Sequence, residues 1–208
     1  LITLGVLIAL AIDNWSENRE NRRKEAFHLE DLRESLRSDL AELQQIIESH
    51  RRYRWYCDTL FQHLRARKPW DDSTAFWVGN CSGSTTFFPQ RAAFENLKSL
   101  DLNLVQSDII RASIFRVYEE RFEQHKSSEQ ILLRRVEGKW IPLMDSKVLL
   151  VEDFQLKPVD YAAMQQDPRY MNYIALIWAD HERIIIHATL SCIDVEILIR
   201  QIDLELKK

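Results

Sequence analysis

An uncharged and predominantly apolar run occupies positions 1–12 of the chain and stops at Asp13. A helix that crosses a bilayer needs about twenty such residues. The chain opens on Leu1 and not on Met, and we therefore expect the run to continue before that position. Trp15, beside polar neighbours, is typical of the aromatic belt at a membrane interface. This pattern predicts that residues 1–15 are the C-terminal part of a transmembrane helix.

Two small residues, Gly5 and Ala9, lie four positions apart within the apolar run. Small residues at this spacing form a face on which another membrane helix can pack closely. They are our candidates for helix–helix packing in the membrane.

Beyond residue 16 the apolar positions recur at helical spacing. The stripe consists of Leu29, Leu32, Leu36, Leu40, Leu43 and Ile47, with charged residues between its members. Spacings of three and four residues are those of an amphipathic helix. Neither Gly nor Pro occurs between Asp13 and Arg67, so the pattern predicts that the membrane segment continues into this helix. The pattern does not decide whether the helix is kinked near residues 50–54.

Residues 68–90 break the helical pattern. They contain two Pro, two Gly and several Ser, Thr, Asn and Asp residues, and we therefore expect a long loop. The segment also carries five large aromatic residues, namely Trp70, Phe76, Trp77, Phe87 and Phe88. A loop of this length with such side chains is functional or packed onto another surface. These five residues are our candidate contacts with a partner protein.

The rest of the chain is predicted to be mostly helical. The expected elements are a short helix at about residues 90–99, a long helix from the N-cap Ser107 to Gly138, a short strand at 148–151, a helical turn at 161–165 and a last helix from Pro168 to about Leu206. The fold class is therefore all-α. We expect the transmembrane helix to continue into a long amphipathic helix, and residues 16–208 to form a membrane-proximal antiparallel bundle of three long helices plus a short one.

The charge balance does not favour a nucleic-acid ligand. A formal net charge of −4 produces no strong field that would attract one. Residues 50–56 mix basic and aromatic side chains, but no nucleic-acid-binding motif accompanies them. We interpret this stretch as a helix surface partly covered by the aromatic segment, and contact with a protein partner is the alternative.

The three cysteines, Cys57, Cys81 and Cys192, show no CxxC spacing, so neither a zinc site nor a redox motif is indicated. Buried free thiols are the favoured interpretation. A disulfide between Cys57 and Cys81 is the alternative if this part of the protein lies outside the cytoplasm.

The sequence contains none of the common catalytic motifs: HExxH, GxSxG, the P-loop and GxGxxG are all absent. The adjacent residues Asp180, His181 and Glu182 have the residue types of an acid–base cluster. The side chains of adjacent residues on a helix, however, do not converge on one point. We interpret them as part of a solvated helix face. We therefore expect no catalytic residue, no cofactor and no bound metal.

Residues 4–17, with the sequence LGVLIALAIDNWSE, resemble the GILIALxINNWNE-like motif of a family of uncharacterised single-span bacterial membrane proteins, a domain of unknown function. A second block, residues 94–99, is similar to the family's Tyr-x-x-Leu-x-x-Ser-Gly segment, with Phe94 in place of Tyr and Leu100 in place of Gly. The resemblance covers roughly the first 120 residues. It implies a basic segment before residue 1, a cytoplasmic N-terminus and a body on the periplasmic side of the bacterial inner membrane. It implies no activity.

These observations favour a membrane-anchored protein that is not an enzyme. We expect an accessory subunit of a larger membrane complex or a homo-oligomer, with the lipid bilayer and other membrane protein subunits or its own copies as partners. The alternative is an extracytoplasmic sensory or ligand-binding helical domain. Such receptors usually carry a second span or an output domain, and this sequence shows neither.

Overall fold

The protein is mostly helical in a computed structural model that describes residues 2–100, 102–146, 148–150 and 156–208; for residues 2–11, 149 and 150 it describes the backbone alone. The elements are α1 (Ile2–Arg65), α2 (Asp72–Asn80), α3 (Ala92–Leu100), a 3₁₀ turn (Leu102–Leu104), α4 (Asp108–Phe115), a first π-helical turn (Arg116–Arg121), α5 (Phe122–Arg135), a second π-helical turn (Val136–Trp140), α6 (Ile141–Asp145), β1 (Val148–Leu150), β2 (Leu156–Pro158), α7 (Tyr161–Gln166) and α8 (Pro168–Glu205).

The all-α prediction is confirmed, and the described residues add one small antiparallel hairpin in which Val148 pairs with Pro158. Among these residues the three long helices are α1, the uninterrupted run from α4 to α6, and α8. Ser107 caps α4 as predicted, because its side chain accepts the N–H of Ile110. The last helix begins at Pro168 as predicted.

Two sequence predictions about local structure were wrong. The long helix does not end at Gly138, because a terminating glycine needs the left-handed conformation and no glycine of the described residues has a positive φ. The helix continues to Asp145 through the second π-helical turn. Residues 68–90 are not loop throughout, since α2 lies within them. Asp71 caps this helix by accepting the N–H of Thr74.

The chain divides into two compact units. The first comprises Leu1–Ala41, Pro89–Glu120 and Ile193–Lys208. Within it, α1 and α8 lie antiparallel, because Arg33 contacts Asp203 at 3.1 Å while the earlier Arg22 contacts the later Glu205 at 3.6 Å. Its core includes the stacked rings of Phe94 and Tyr118, whose centroids are 4.5 Å apart.

The second unit comprises Glu42–Phe88 and Arg121–Cys192. Within it, α1 and α8 are again antiparallel: His50 contacts His181, while the later Phe61 lines a small cavity with the earlier Ile174. Helix α5 joins them, since Arg135 binds Asp180 of α8.

Most buried positions of α1 form a series with alternating spacings of three and four residues. The series runs through Glu25, Leu29, Leu32, Leu36 and Asp39 in the first unit and through Leu43, Ile46, His50, Cys57, Leu60 and Leu64 in the second, with the half-buried Tyr53 completing it; Ile47 and His63 are buried beside the series. Leu40, which the sequence placed in the stripe, is only half-buried. Helices that pack along one another for many turns require a period of 3.5 residues and not 3.6. This shift of register turns Asp39 and His50 inward.

The predicted membrane anchor falls mostly outside the described side chains. The side chains of residues 1–11, Gly5 and Ala9 among them, lie outside the described residues. No helix in the described part of the chain is long and apolar enough to cross a membrane. Trp15 is described; it is 63% exposed, and the guanidinium carbon of Arg19 lies 5.6 Å from its ring centroid. The transmembrane helix and its packing face stay predictions.

Candidate functional site

The five aromatic residues predicted to contact a partner lie in different environments. Phe87 is buried, at 7% exposure, and its ring centroid lies 4.9 Å from that of Phe122. It therefore belongs to the core and is not a free contact, contrary to the sequence prediction. Trp77 is half-buried against His63. Phe88 is exposed.

Phe76 joins a cluster of rings on the surface of the second unit. Its ring centroid lies 5.3 Å from that of Tyr56 on α1, and Tyr56 lies 5.3 Å from Trp55. Trp55 and Phe76 are 56% and 52% exposed. We call these three residues the aromatic patch. The contact between Tyr56 and Phe76 also confirms that the segment after α1 partly covers the surface of residues 50–56.

A groove of about 690 Å³ lies beside the aromatic patch. Phe76 belongs to the aromatic patch and also lines the groove. Trp70 forms another part of the groove wall, where its ring packs edge-on against Tyr161. The carboxylate of Asp72 and the ammonium of Lys157 also line the groove. The groove thus offers aromatic surface and both signs of charge.

Beneath the surface of the same unit, His50 of α1 and His181 of α8 form a fully buried pair. Their Nδ1 atoms lie 2.9 Å apart. The Nε2 atom of His181 lies 2.9 Å from the carbonyl oxygen of Cys81. A carbonyl oxygen can only accept, so this nitrogen carries the proton and Nδ1 of a neutral His181 is an acceptor.

The acceptor role of His181 fixes the tautomer of its partner. Nδ1 of His50 must donate to it, which leaves Nε2 of His50 as the acceptor. That nitrogen lies 3.0 Å from the hydroxyl oxygen of Thr85, which therefore donates. The hydrogen bonds run in one direction, from Thr85 through His50 and His181 to the carbonyl of Cys81.

Both imidazoles are held in the neutral form mainly by their burial. Burial, together with the smaller effects of the neighbouring His181 and His125, lowers the pKa of His50 to about 3. Burial also lowers the pKa of His181 to about 4, although its bond to the Cys81 carbonyl and the charge of Asp180 act in the opposite direction. A proton added to Nδ1 of His181 would face the N–H of His50 at 2.9 Å, whereas a proton added to Nε2 of His50 would face the Thr85 hydroxyl, which can turn to accept it.

Asp180 and His181 are fully buried, so the interpretation of residues 180–182 as a solvated face was wrong for both. The three neighbours do point in different directions, as expected. Asp180 binds Arg135 at 2.5 Å and Arg183 at 2.8 Å, whereas Glu182 binds Arg54. This part of α8 is therefore tied to both α5 and α1.

The sequence contains a local signal that both histidines are buried. Continuing the strict three-and-four alternation from Leu43 and Ile46 of α1 reaches His50. The same alternation in α8 runs through Ile174, Ile177, His181, Ile184 and Ala188, all fully buried. A heptad register therefore predicts that both histidines lie in the core. It does not predict that they lie opposite each other.

The cysteines of the second unit are buried free thiols, in agreement with the favoured interpretation. The thiol of Cys57 donates to the carbonyl oxygen of Cys81 at 3.1 Å. A hydrogen bond with the Cys81 side chain and burial both raise the pKa of Cys57. Its thiol is therefore protonated and inert, because the thiolate is the reactive form.

Gly83 is the point at which the segment after α2 lies against Tyr53, whose ring packs on both histidines. A Cβ atom at Gly83 would lie 2.7 Å from Cδ1 of Tyr53. We expect Gly83→Ala to lower the free energy of unfolding by about 1–3 kcal/mol, because this ring is confined and the overlap must be relieved by a shift of packed groups. Urea unfolding followed by circular dichroism measures the change.

The matched control is Gly138→Ala, where a Cβ atom meets nothing within 4 Å. Replacing a helical glycine in open space raises stability by about 0.5–1 kcal/mol. Equal effects of the two substitutions would contradict the packing argument for Gly83.

Comparison with known proteins bears on the family and not on the site. A family model described as a family of unknown function, DUF6090, matches residues 1–135. No curated protein and no solved structure matches the chain. The match reaches further than the roughly 120 residues of the resemblance drawn from the sequence, and it assigns no functional residue.

Proposed function

Since the chain belongs to DUF6090, a family of unknown function, we propose its function from sequence and geometry: it is a membrane-anchored, non-enzymatic interaction protein. In this proposal residues 1–15 belong to a single transmembrane helix in the bacterial inner membrane. The body lies on the periplasmic side, as an accessory subunit of a larger membrane complex or as a homo-oligomer. The apolar run at positions 1–12 and the exposed Trp15 support the anchor.

The observation that carries the interaction function is the aromatic patch. More than half of the surface of Trp55 and Phe76 is exposed, yet ring contacts with Tyr56 hold both in place. Rigid, exposed Trp, Tyr and Phe side chains are enriched at protein interfaces and contribute most of their binding energy. The neighbouring Arg51 and Arg52 are exposed as well, and arginine shares this enrichment.

Purification of the tagged full-length protein from its own membranes tests the proposal. We expect resistance to alkaline-carbonate extraction, and a stoichiometric complex with another membrane protein or with further copies in mild detergent. The double variant Trp55→Ala/Phe76→Ala is expected to lose at least about 90% of the co-purifying protein, because truncating two central aromatic anchors costs at least about 1.4 kcal/mol.

The matched control is Leu100→Ala, a large apolar side chain that is 57% exposed in the first unit. It should leave the complex intact. A lone monomer, or a complex that survives the double variant, would refute the proposed function. Release by carbonate with an intact complex would refute the anchor alone.

The groove beside the patch favours the second candidate, an extracytoplasmic ligand-binding domain. Its aromatic walls and its charged lining residues, Asp71, Asp72 and Lys157, suit a small polar molecule with an apolar part. A ligand that raises the melting temperature of the wild type and not that of Phe76→Ala would favour this candidate over the interaction function.

A further inference from the structure

The first turns of α1 whose side chains are described are exposed on all sides. Every position from Ile12 to Glu20 is exposed, and among the described side chains Glu25 is the first buried one of the helix. This exposed part follows directly on the apolar run at positions 1–12. In the proposed function that run lies in the bilayer, and the exposed part of α1 therefore begins at the level of the phospholipid headgroups.

Three arginines next to the membrane segment share one face of the helix with Trp15. At about 100° of rotation per residue, the four residues lie within an arc of about 100°. We call them the basic face; they are Trp15, Arg19, Arg22 and Arg23, and all four are exposed. The guanidinium carbon of Arg19 lies 5.6 Å from the ring centroid of Trp15. Aromatic and cationic surface are thus continuous on this face.

The acidic residues of the same turns lie on another side of the helix. By the same rotation they occupy an arc of about 60°, whose centre is about 140° from that of the basic face. They are Asp13, Glu17 and Glu20. Lys24 falls in this acidic arc and binds Glu20 at 2.7 Å. An anionic surface therefore attracts one side of the helix and repels the other.

The arginines of the basic face are largely available to an external anion. Arg22 lies 3.6 Å from Glu205 of α8, but its side chain is still 54% exposed. An exposed pair of this kind is weak. Among the described residues, Arg19 and Arg23 form no ion pair. The face thus carries positive charge that the first unit does not neutralise.

The heights of these side chains match the headgroup layer. With Trp15 at the interface, Arg19 lies about 6 Å and Arg23 about 12 Å further along the helix axis. The headgroup layer is about 5–8 Å thick on each side of the bilayer. Side chains of a helix point back towards its N-terminus, which is the membrane side here. Long arginine side chains that start beyond the layer therefore reach into it.

We propose that the basic face of α1 binds the phosphate groups of anionic phospholipids. A guanidinium group binds phosphate through two parallel hydrogen bonds. Three exposed arginines on a convex helix face do not enclose a single ion, whereas a membrane presents many phosphates to them at once. Trp15 adds the aromatic contact that is favoured at headgroup level. This inference rests on the anchor of the proposed function and is independent of the aromatic patch and its partner.

Native mass spectrometry of the full-length protein in detergent tests the proposal, with phosphatidylglycerol and phosphatidylcholine titrated as the probes. We expect the wild type to bind its first phosphatidylglycerol at least about tenfold more tightly than phosphatidylcholine, because each basic residue near an anionic headgroup contributes about fivefold. In Arg19→Gln/Arg22→Gln/Arg23→Gln the two affinities should differ by less than about twofold, since the headgroup charge is then no longer recognised. Glutamine keeps the helix, because its helix propensity is close to that of arginine.

Two controls separate the basic face from net charge. Arg65→Gln/Arg67→Gln/Lys68→Gln removes three exposed basic residues of the second unit and should keep the preference for phosphatidylglycerol. Lys24→Gln removes a charge from the acidic side of the same turns and should keep it as well. Loss of the preference in either control would attribute it to overall charge and overturn the proposal.

Two further measurements separate the lipid from the free ion and from the anchor. The phosphorus NMR line of inorganic phosphate should have the same width with the wild type and with the triple arginine variant. Broadening that this variant abolishes, together with equal lipid affinities, would assign the face to free phosphate and overturn the proposal. Release of the wild type by alkaline carbonate overturns the anchor and the lipid face with it. Retention of the wild type with equal affinities for the two lipids overturns the lipid face alone.

Discussion

Between pH 7 and pH 5 the protein is expected to lose about 4 kcal/mol of unfolding free energy. His50 and His181 stay neutral in the folded chain, with pKa values of about 3 and about 4, against an ordinary value of 6.5. Below pH 6.5 the unfolded chain therefore binds two protons that the folded chain does not. The stability that the neutral pair provides is complete above pH 6.5 and is lost as the pH falls towards 4 and then 3.

Each histidine contributes about 1.4 kcal/mol per pH unit within that window. The loss is large against the roughly 5–15 kcal/mol by which proteins of this size are stable. Urea unfolding at pH 7, 6 and 5, followed by circular dichroism at 222 nm, measures it.

The double variant His50→Gln/His181→Gln is the control for this pH dependence of the unfolding free energy. It should retain only the smaller response of groups such as His187, whose pKa burial also lowers. An unfolding free energy of the wild type that is equal at pH 7 and pH 5 would show that the pair is not neutral in the folded chain.

Asp180→Ala is expected to destabilise the protein by about 3 kcal/mol at pH 7. Asp180 is fully buried and binds two arginines, and its removal leaves Arg135, which is only about a quarter exposed, without a counter-charge. Breaking a buried ion pair costs more than the pair contributes, because the remaining charge stays desolvated. The expected loss lies at the low end of the usual range, since Arg183 can turn to solvent.

Two further variants make this prediction specific. Glu196→Ala removes an exposed carboxylate that binds Arg200 on the same helix, and it should cost less than about 0.5 kcal/mol. Adding Arg135→Met to Asp180→Leu should recover most of the loss, because two apolar side chains replace the whole buried pair. A loss no greater than that of Glu196→Ala would mean that Asp180 is solvated in the folded protein.

The helical elements followed from the sequence because their signals are local. Ser107, Pro168 and the apolar stripes lie within a few residues of the boundaries that they predict. Helix α2 was missed because Ser, Thr, Asp and Gly favour turns as strongly as they favour caps. Its cap, Asp71 with Thr74 three residues later, was visible, but the surrounding composition outweighed it.

The aromatic segment shows where local reasoning stops. The sequence predicted that the aromatic side chains of residues 68–90 either pack onto the protein or contact a partner. It did not separate the side chains that pack from those that are exposed. Phe87 and Phe88 are neighbours, yet one is buried and the other exposed, because successive side chains of an extended segment point in opposite directions. Only the position of Phe122 decides which of the two faces the core.

The sequence by itself determined an all-α protein, its three long helices, an apolar run that predicts an anchor, and a resemblance to a family of unknown function. These follow from residue types and short spacings. Tertiary structure alone decided the chemistry of the core, because His50 and His181 are 131 positions apart and only the folded chain buries both rings against each other. Their tautomers depend on a carbonyl and a hydroxyl from a third segment. No pattern along the chain encodes a hydrogen bond whose direction three separate elements set together.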